Sequence, residues 1–364
     1  MNKIGIITFH ISENYGAMLQ AFALRYSLIS LGATVDIINY KPKYTSLKFP
    51  QNILHVFWSV FRDMLGHNAR IEKANAFRKS KLGIGLCPVY DNIESVPNLY
   101  SYDKFVVGSD QVWNFNITRD PVYRLLFTNS NQKKYAYAAS LGSNKLSQKD
   151  ADLLFSSIKD YRAISVREKS ACSIMNSLGL YSEYVLDPTL LLLSKDWIDQ
   201  LQLSSQAFKL KKYVFCYCLP GNVTSESTVK LAKLIAKKKN LDVIIVGERE
   251  YKRFLSSSYL TSVGVEEFVR LIMDAEIVVT NSFHGTCFSI IFHKLFYTTI
   301  ANKVVQNNRI VELLTLLQLR SQIVPIDKMS LDLLNSVIDY SDVDSRLKDK
   351  QNSSHSFLEK IINS

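Results

Sequence analysis

The chain has 364 residues, 47% of them hydrophobic and 21% charged, and 44 Lys and Arg against 33 Asp and Glu leave a formal charge of +11. This composition belongs to folded soluble proteins and excludes disordered, collagen-like and coiled-coil chains. At about 150 residues per domain the length favours two domains, each able to bury a core. The positive balance fits anionic partners such as nucleic acid, phosphorylated metabolites or acidic lipid surfaces, without choosing among them.

The first residues, Met1-Asn2-Lys3, lead directly into the apolar stretch Ile4 to Phe9. It is too short for a secretory signal and lacks the small-residue cleavage site, so it reads as a first strand. No run reaches the about 18 apolar residues a membrane-spanning helix needs, and a cytoplasmic protein is expected. The five cysteines, Cys87, Cys172, Cys216, Cys218 and Cys287, match neither a disulfide framework nor a zinc site and are expected to be reduced. Cys216 and Cys218 share one strand face, as small buried hydrophobes do.

In chain order, Asn14-Tyr15-Gly16 breaks the first strand and Ala17 to Ser30 repeats apolar residues at helical spacing until Gly32. Val35 to Tyr40 follows as a strand, giving the start of an open parallel sheet. Lys104 to Val107, Lys134 to Ala139, Ala163 to Val166 and Tyr184 to Leu186 read as further strands, and Asp187-Pro188 punctuates the chain. The second half repeats the theme with strand Tyr213 to Cys218, helix Ser225 to Lys239, strand Asp242 to Val246, helix Val265 to Asp274, strand Glu276 to Thr280 and strand Leu295 to Ile300. The expected fold is α/β, with two Rossmann-like domains facing across a cleft: an N-terminal domain over 1–190, a junction near 191–210, a C-terminal domain over 211–330 and a helical tail over 331–364. The cleft is the default site.

Residues 41–81 stand apart, with nine basic residues against two acidic ones and aromatics at Phe49, Phe57, Trp58, Phe61 and Phe77. Two readings stand. One is an inserted helical hairpin whose apolar face packs on the sheet. The other is a surface touching an anionic membrane or a lipid-linked substrate, which places the protein at the inner membrane face as a peripheral visitor. No nucleic-acid motif accompanies the segment, so nucleic acid is not an expected partner.

Chemistry concentrates where strands end. Thr280-Asn281-Ser282-Phe283-His284-Gly285-Thr286 sets an imidazole between an apolar strand and an apolar helix. Free N–H groups at such a junction favour an anion, which makes Ser282, Gly285 and Thr286 candidate contacts. His284 is read either as a proton-transfer group or as a turn cap. No carboxylate lies between Glu276 and Glu312, while Lys294, Lys303 and Arg309 do. That pattern favours a phosphorylated or carboxylated donor over a nucleotide sugar, whose ribose commonly asks for an acidic side chain. Arg167 can fork onto a donor carboxylate or phosphate, or pair with Glu168 or Asp187. Gly108-Ser109-Asp110-Gln111-Val112-Trp113-Asn114 offers Trp113 as a sugar-stacking face and Asn114 as a hydroxyl contact; the alternatives are a packed tryptophan and a capping aspartate. Asn14 and Tyr15 occupy the first βα loop, a frequent ligand position, and His10 ends the first strand. No G-x-G-x-x-G, G-x-S-x-G or P-loop pattern occurs, and no His/Cys cluster argues for a metal.

Together, Gly5-Ile6-Ile7-Thr8-Phe9-His10, Asn14-Tyr15-Gly16-Ala17, Gly108 to Asn114, Tyr137-Ala138-Ala139-Ser140, Ser165-Val166-Arg167-Glu168, Leu186-Asp187-Pro188-Thr189 and Asn281 to Thr286 resemble the polysaccharide pyruvyl transferase family from about residue 3 to 317. The resemblance implies a GT-B-like pair of domains and transfer of pyruvate from phosphoenolpyruvate, as co-substrate with no further cofactor, onto a sugar or lipid-linked oligosaccharide as a ketal. It implies donor binding by an Arg-Leu-His triplet and an upstream arginine. The triplet position reads Ser282-Phe283-His284 here, so His284 carries over, Arg167 fits the upstream position, and Arg309 or Lys303 is left to supply the missing charge. His284 is then the expected general acid, with Asp110 or His10 as base. Rival readings are a nucleotide-sugar glycosyltransferase and a non-catalytic glycan- or lipid-phosphate-binding member.

Overall fold

The computed structural model describes residues 3–11, 13–42, 66–84, 88–129, 132–203, 211–219, 222–247, 256–301, 308–329 and 337–364. The chain divides into two units. Met1–Ser46, Arg78–Leu192 and Ser345–Ser364 form the first, Leu47–Phe77 and Leu193–Asp344 the second.

In the first unit, β1 (Lys3–Ile7), β2 (Thr34–Ile37), β3 (Lys104–Val107), β4 (Lys133–Ala139), β5 (Ala163–Val166) and β6 (Glu183–Tyr184) make one sheet in the order β2-β1-β3-β4-β5-β6. Every pairing is parallel. β3 and β5 are buried at all positions, as strands covered on both faces should be, with Lys104 and Ser165 as their polar members. Helix α1 (Tyr15–Ser30) starts where the Asn14 side chain accepts hydrogen bonds from Gly16 N at 2.9 Å and Ala17 N at 3.4 Å. It ends before Gly32, whose φ of +89° lies in the left-handed region. Helix α2 (His67–Lys81) gives its residues through Phe77 to the second unit and the rest to the first. Helices α3 (Gln148–Ile158) and α4 (Lys169–Ser177) complete the βα repeats.

The second unit carries α5 (Ser194–Leu201), β7 (Tyr213–Tyr217), α6 (Ser225–Lys239), β8 (Asp242–Val246), β9 (Tyr259–Leu260), α7 (Val265–Asp274), β10 (Ile277–Thr280), α8 (Phe283–Ile291), β11 (Leu295–Ile300), α9 (Asn308–Leu316) and β12 (Ile323–Pro325). Its sheet, β12-β11-β10-β7-β8-β9, is also parallel throughout. Cys216 and Cys218 are buried as expected for small apolar residues. Cys172, Cys216, Cys218 and Cys287 are reduced thiols; Cys87 lies outside the described residues.

The expected α/β class with two Rossmann-like units is therefore present. Some strand ends differ from the sequence reading, β2 closing at Ile37 rather than Tyr40 and β6 at Tyr184 rather than Leu186. β9 and β12 were not anticipated, because two or three residues carry no readable alternation. Of segment 41–81, residues 43–65 lie outside the described residues. What is described is α2, with Ala74 and Phe77 buried and Lys73 Nζ paired at 2.8 Å with Glu267. Finally, the segment expected as a C-terminal tail carries α10 (Tyr340–Asn363), whose residues from Ser345 onward belong to the first unit. Buried Lys104 Nζ donates to the carbonyls of Ile361 at 2.8 Å and Ile362 at 2.7 Å, a cation meeting a helix C-terminus. No helix among the described residues is long and apolar enough to cross a membrane.

Candidate functional site

In open parallel sheets, ligands bind beyond the carboxyl ends of the strands, at the pair where strand order reverses. The first unit reverses between β1 and β3, the second between β7 and β10.

At the β1/β3 reversal lies a cavity of about 480 Å³ whose wall includes Phe9, His10, Asn14, Tyr40, Asp110 and Tyr123. Phe9 and Tyr123 meet edge to face at 4.8 Å between ring centroids. Tyr40 approaches Tyr123 at 6.2 Å and is fixed by its hydroxyl, which donates to Asp120 Oδ2 at 2.6 Å. Rings of this kind offer apolar faces to a sugar, and the amide and carboxylate groups between them suit its hydroxyls.

The sequence-level candidates fall differently around this cavity. Asn14 and Asp110 line it. Tyr15 is buried at the start of α1. Trp113 is 1% exposed and its indole N–H donates to the Tyr123 carbonyl at 3.0 Å, so it is a packed core residue and not a stacking face. Asn114, also buried, donates to Gln111 Oε1 at 2.8 Å, and thus supports a residue that does line the cavity. Phe9, Tyr40 and Tyr123 were missed. The available signal was an aromatic residue just past a strand end, as Phe9 and Tyr40 are.

His10 lies on the cavity wall but turns both ring nitrogens to its own chain. Nδ1 is 3.0 Å from the Thr8 carbonyl and Nε2 3.1 Å from Asn39 Oδ1. The Asn39 orientation is fixed because its Nδ2 donates to the Pro88 carbonyl at 3.2 Å. Burial pushes the His10 pKa below the usual imidazole range.

Arg167 forks onto carboxylates of its own chain. Nη1 sits 2.6 Å from Asp187 Oδ2, Nη2 3.3 Å from Asp110 Oδ1, and Nε 3.7 Å from Glu168 Oε1. Its side chain is 1% exposed. Both structural pairings considered from sequence are present, and Asp110 joins them. Burial alone would lower the guanidinium pKa; the carboxylates around it outweigh burial and raise it. Gly108 lets β3 deliver this set. Its φ is +112°, and a Cβ there would lie 2.2 Å from the Tyr137 carbonyl oxygen.

At the β7/β10 reversal, side chains tie the loops together. Thr280 Oγ1 donates to the Tyr217 carbonyl at 2.7 Å. Asn281 accepts from Leu219 N at 2.8 Å and donates to Thr224 Oγ1 at 2.9 Å. Ser282 is the N-cap of α8, accepting from Gly285 N at 3.3 Å. Thr286 Oγ1 is within reach of the Ser282 carbonyl at 3.0 Å and of Thr298 Oγ1 at 2.9 Å. Gly285 is required by close approach, since a Cβ would stand 2.5 Å from Thr280 Oγ1. His284, 6% exposed, packs its ring against Phe283 at 5.3 Å. The Arg309 guanidinium lies over the same Phe283 ring at 5.6 Å. One aromatic ring thus holds an imidazole and a cation at the first turn of a helix. Lys303 lies outside the described residues. Among the described residues, no group of three His, Cys, Asp or Glu side chains could hold a metal ion.

A family model described as polysaccharide pyruvyl transferase matches residues 14–303. No curated protein matches the chain. Similar solved structures include spinosyn rhamnosyltransferase SpnG, at 10% identity and a TM-score of 0.49 over 100% of both chains. Arabidopsis thaliana UGT89C1 complexed with UDP-L-rhamnose is 12% identical with a TM-score of 0.46, covering 99% of this chain and 92% of that one. Acinetobacter baumannii MurG is 10% identical with a TM-score of 0.42 over 100% of both chains.

Proposed function

The chain belongs to the polysaccharide pyruvyl transferase family, and from that premise we propose that it moves pyruvate from phosphoenolpyruvate onto a sugar residue of a surface polysaccharide or its lipid-linked precursor, closing a cyclic ketal. The observation that carries this reading is that His284 and Arg309 both pack against one ring, that of Phe283 at the start of α8. Arg309 supplies the cation that the family's triplet carries at the position of Ser282. With the N-terminus of α8 it provides positive charge for a phosphate or carboxylate.

The chemistry follows from those groups. His284 gives a proton to the methylene carbon of phosphoenolpyruvate, leaving the neighbouring carbon electrophilic. A sugar hydroxyl adds there through oxygen and gives up its proton to a base. Phosphate then departs with the electron pair of its C–O bond, and a second sugar hydroxyl adds to the same carbon and loses its proton. The products are the ketal and inorganic phosphate; one hydroxyl proton balances the proton gained by the methyl carbon and the other leaves with phosphate. Cationic groups act most as the departing phosphate gains charge.

For the base, the choice between His10 and Asp110 turns on geometry. Both His10 nitrogens face acceptors of the chain, whereas Asp110 lines the cavity. Asp110 is therefore assigned the proton, with Phe9 and Tyr40 offering the sugar its stacking faces and Asn14 a hydrogen-bonding group. For a lipid-linked acceptor, the basic and aromatic segment 41–81 suits an anionic membrane face.

The test is to supply phosphoenolpyruvate with a panel of hexosides bearing free 3,4- or 4,6-hydroxyl pairs, following phosphate release and product mass. Acceptor-dependent phosphate with a pyruvyl mass gain is expected. Release of UDP or GDP from nucleotide sugars, with phosphoenolpyruvate inert, would replace this reading with glycosyl transfer.

A further inference from the structure

Four successive strands of the first unit each deliver polar groups to one buried cluster. Asp110 follows β3, Ser140 follows β4, Arg167 and Glu168 follow β5, and Asp187 follows β6. Asp187 is fully enclosed. One of its oxygens accepts from Thr189 N at 3.0 Å and Thr189 Oγ1 at 2.7 Å, the other from Ser109 Oγ at 3.2 Å and from Arg167. Glu168 accepts from Ser140 Oγ at 2.6 Å. Asp110 is held at the backbone too. Its carbonyl accepts from Ser140 N at 2.9 Å and Val112 N at 2.8 Å, and its φ of 71° puts it in the left-handed region that aspartate tolerates. Asp110 is the one carboxylate of the three that lines the cavity.

The Arg167 guanidinium meets three carboxylates of its own chain, and its planar fork is already engaged by Asp187 at 2.6 Å and Asp110 at 3.3 Å. We infer that Arg167 is a positioning residue, which fixes the Asp110 carboxylate on the cavity wall and so orients the group that takes the acceptor hydroxyl's proton. The identity of that proton transfer rests on the proposed pyruvyl transfer; the positioning itself rests on the cluster alone. Arg167 acts through Asp110 and touches neither substrate.

Two readouts test this, one independent of turnover. Asp110 is titrated by carboxyl carbon NMR, assigned with D110N, in the wild type, R167K and D187N. The other groups facing it are Arg167, Glu168 and Asp187 within the cluster and His10, Glu13 and Lys41 around the cavity. Lysine cannot span Asp187 and Asp110 together, so in R167K the Asp110 titration moves up by about one pH unit. In D187N the guanidinium loses a competing carboxylate, and the titration moves down. With phosphoenolpyruvate and a productive hexoside, R167K loses about tenfold in kcat and its KM for phosphoenolpyruvate stays within about twofold. The acid limb of its pH profile follows the NMR shift, and R167K/D110N is no slower than D110N. A titration unmoved in both variants overturns the inference. So does a KM for phosphoenolpyruvate raised about tenfold at unchanged kcat, fully additive with D110N, which marks Arg167 as a donor ligand. If R167K does not fold, D187N decides by the sign of its shift. If the wild type releases no phosphate with any hexoside, the proposed reaction falls and the NMR titration alone decides the positioning.

Discussion

At the β1/β3 reversal a cavity walled by Phe9, Tyr40, Tyr123 and Asp110 opens beyond strand ends joined where Thr8 Oγ1 donates to the Ser109 carbonyl at 3.1 Å, while at the β7/β10 reversal Thr280 and Asn281 tie the loops to one another. The charges differ as well. Asp110 and Glu13 face the first cavity, whereas no carboxylate lies between Glu276 and Glu312 in the chain that forms the second junction. Two parallel sheets therefore offer equivalent positions to ligands, and the side chains at the strand ends decide what can use them. Rings with carboxylates suit an uncharged polyol; a helix start with an imidazole and a guanidinium suits an anion. Under the proposed reaction the first unit takes the acceptor and the second the donor, a division that experiment can break.

The largest expected effect is at His284. Replacing this proposed general acid with alanine should lower kcat by about 10²- to 10⁴-fold, with the folded state preserved by its neighbours' caps and hydrogen bonds. Turnover of H284A at the wild-type rate, with phosphoenolpyruvate and the acceptor saturating, would falsify the assignment of proton chemistry to the second unit.

Asn281→Ala probes the tying of the β7/β10 loops. It removes a buried side chain that satisfies Leu219 N and Thr224 Oγ1, and should cost about 1–3 kcal/mol of unfolding free energy in urea. A cost near zero would mean that these loops are not held by side chains and that the contrast with the open β1/β3 cavity is one of appearance.

Smaller effects should separate by substrate. Arg309→Gln should raise the KM for phosphoenolpyruvate about tenfold and leave the acceptor KM alone, because it removes a charge from the anion side. Phe9→Leu should do the reverse, raising the acceptor KM by a few fold through about 0.5–1.5 kcal/mol of lost ring contact. Both variants moving the same KM would dissolve the division of labour between the two units.

How far the sequence reaches is shown by particular residues. Lys104–Val107, Asp242–Val246 and Ser225–Lys239 have the bounds expected of them, because short, mainly apolar strands and a helix with a polar face are written in local patterns. The His284 junction was legible for the same reason, as an apolar strand, a polar turn and an apolar helix follow one another without a gap. The cavity rings were not. Phe9, Tyr40 and Tyr123 are far apart in the chain and meet only because β1, β2 and β3 are neighbours in the sheet. Trp113 and Arg167 carry chemistry that suits either a ligand or the interior. Only their surroundings separate the two: the Tyr123 carbonyl takes the indole N–H, and three carboxylates surround the guanidinium, which is the basis for the positioning role inferred for Arg167.

The smallest prediction concerns His10, which shares the cavity wall with Asp110 but is held differently. Acceptors at both ring nitrogens favour a second proton, and burial opposes it more strongly, so the folded pKa is lowered. The unfolded chain, with a histidine pKa of about 6.5, takes up that proton first as pH falls. The contribution of His10 to stability is thus fully present above about pH 6.5 and is lost as pH drops through the window between the unfolded and folded values. Unfolding midpoints measured from pH 7.5 to 5.5 should fall in the wild type, and His10→Gln should flatten that fall. An equal slope in the variant would show that acid sensitivity arises elsewhere and that His10 titrates alike in both states. That result would also return His10 to consideration as a proton acceptor beside Asp110, since a ring that gains its proton freely is not locked by its two neighbours.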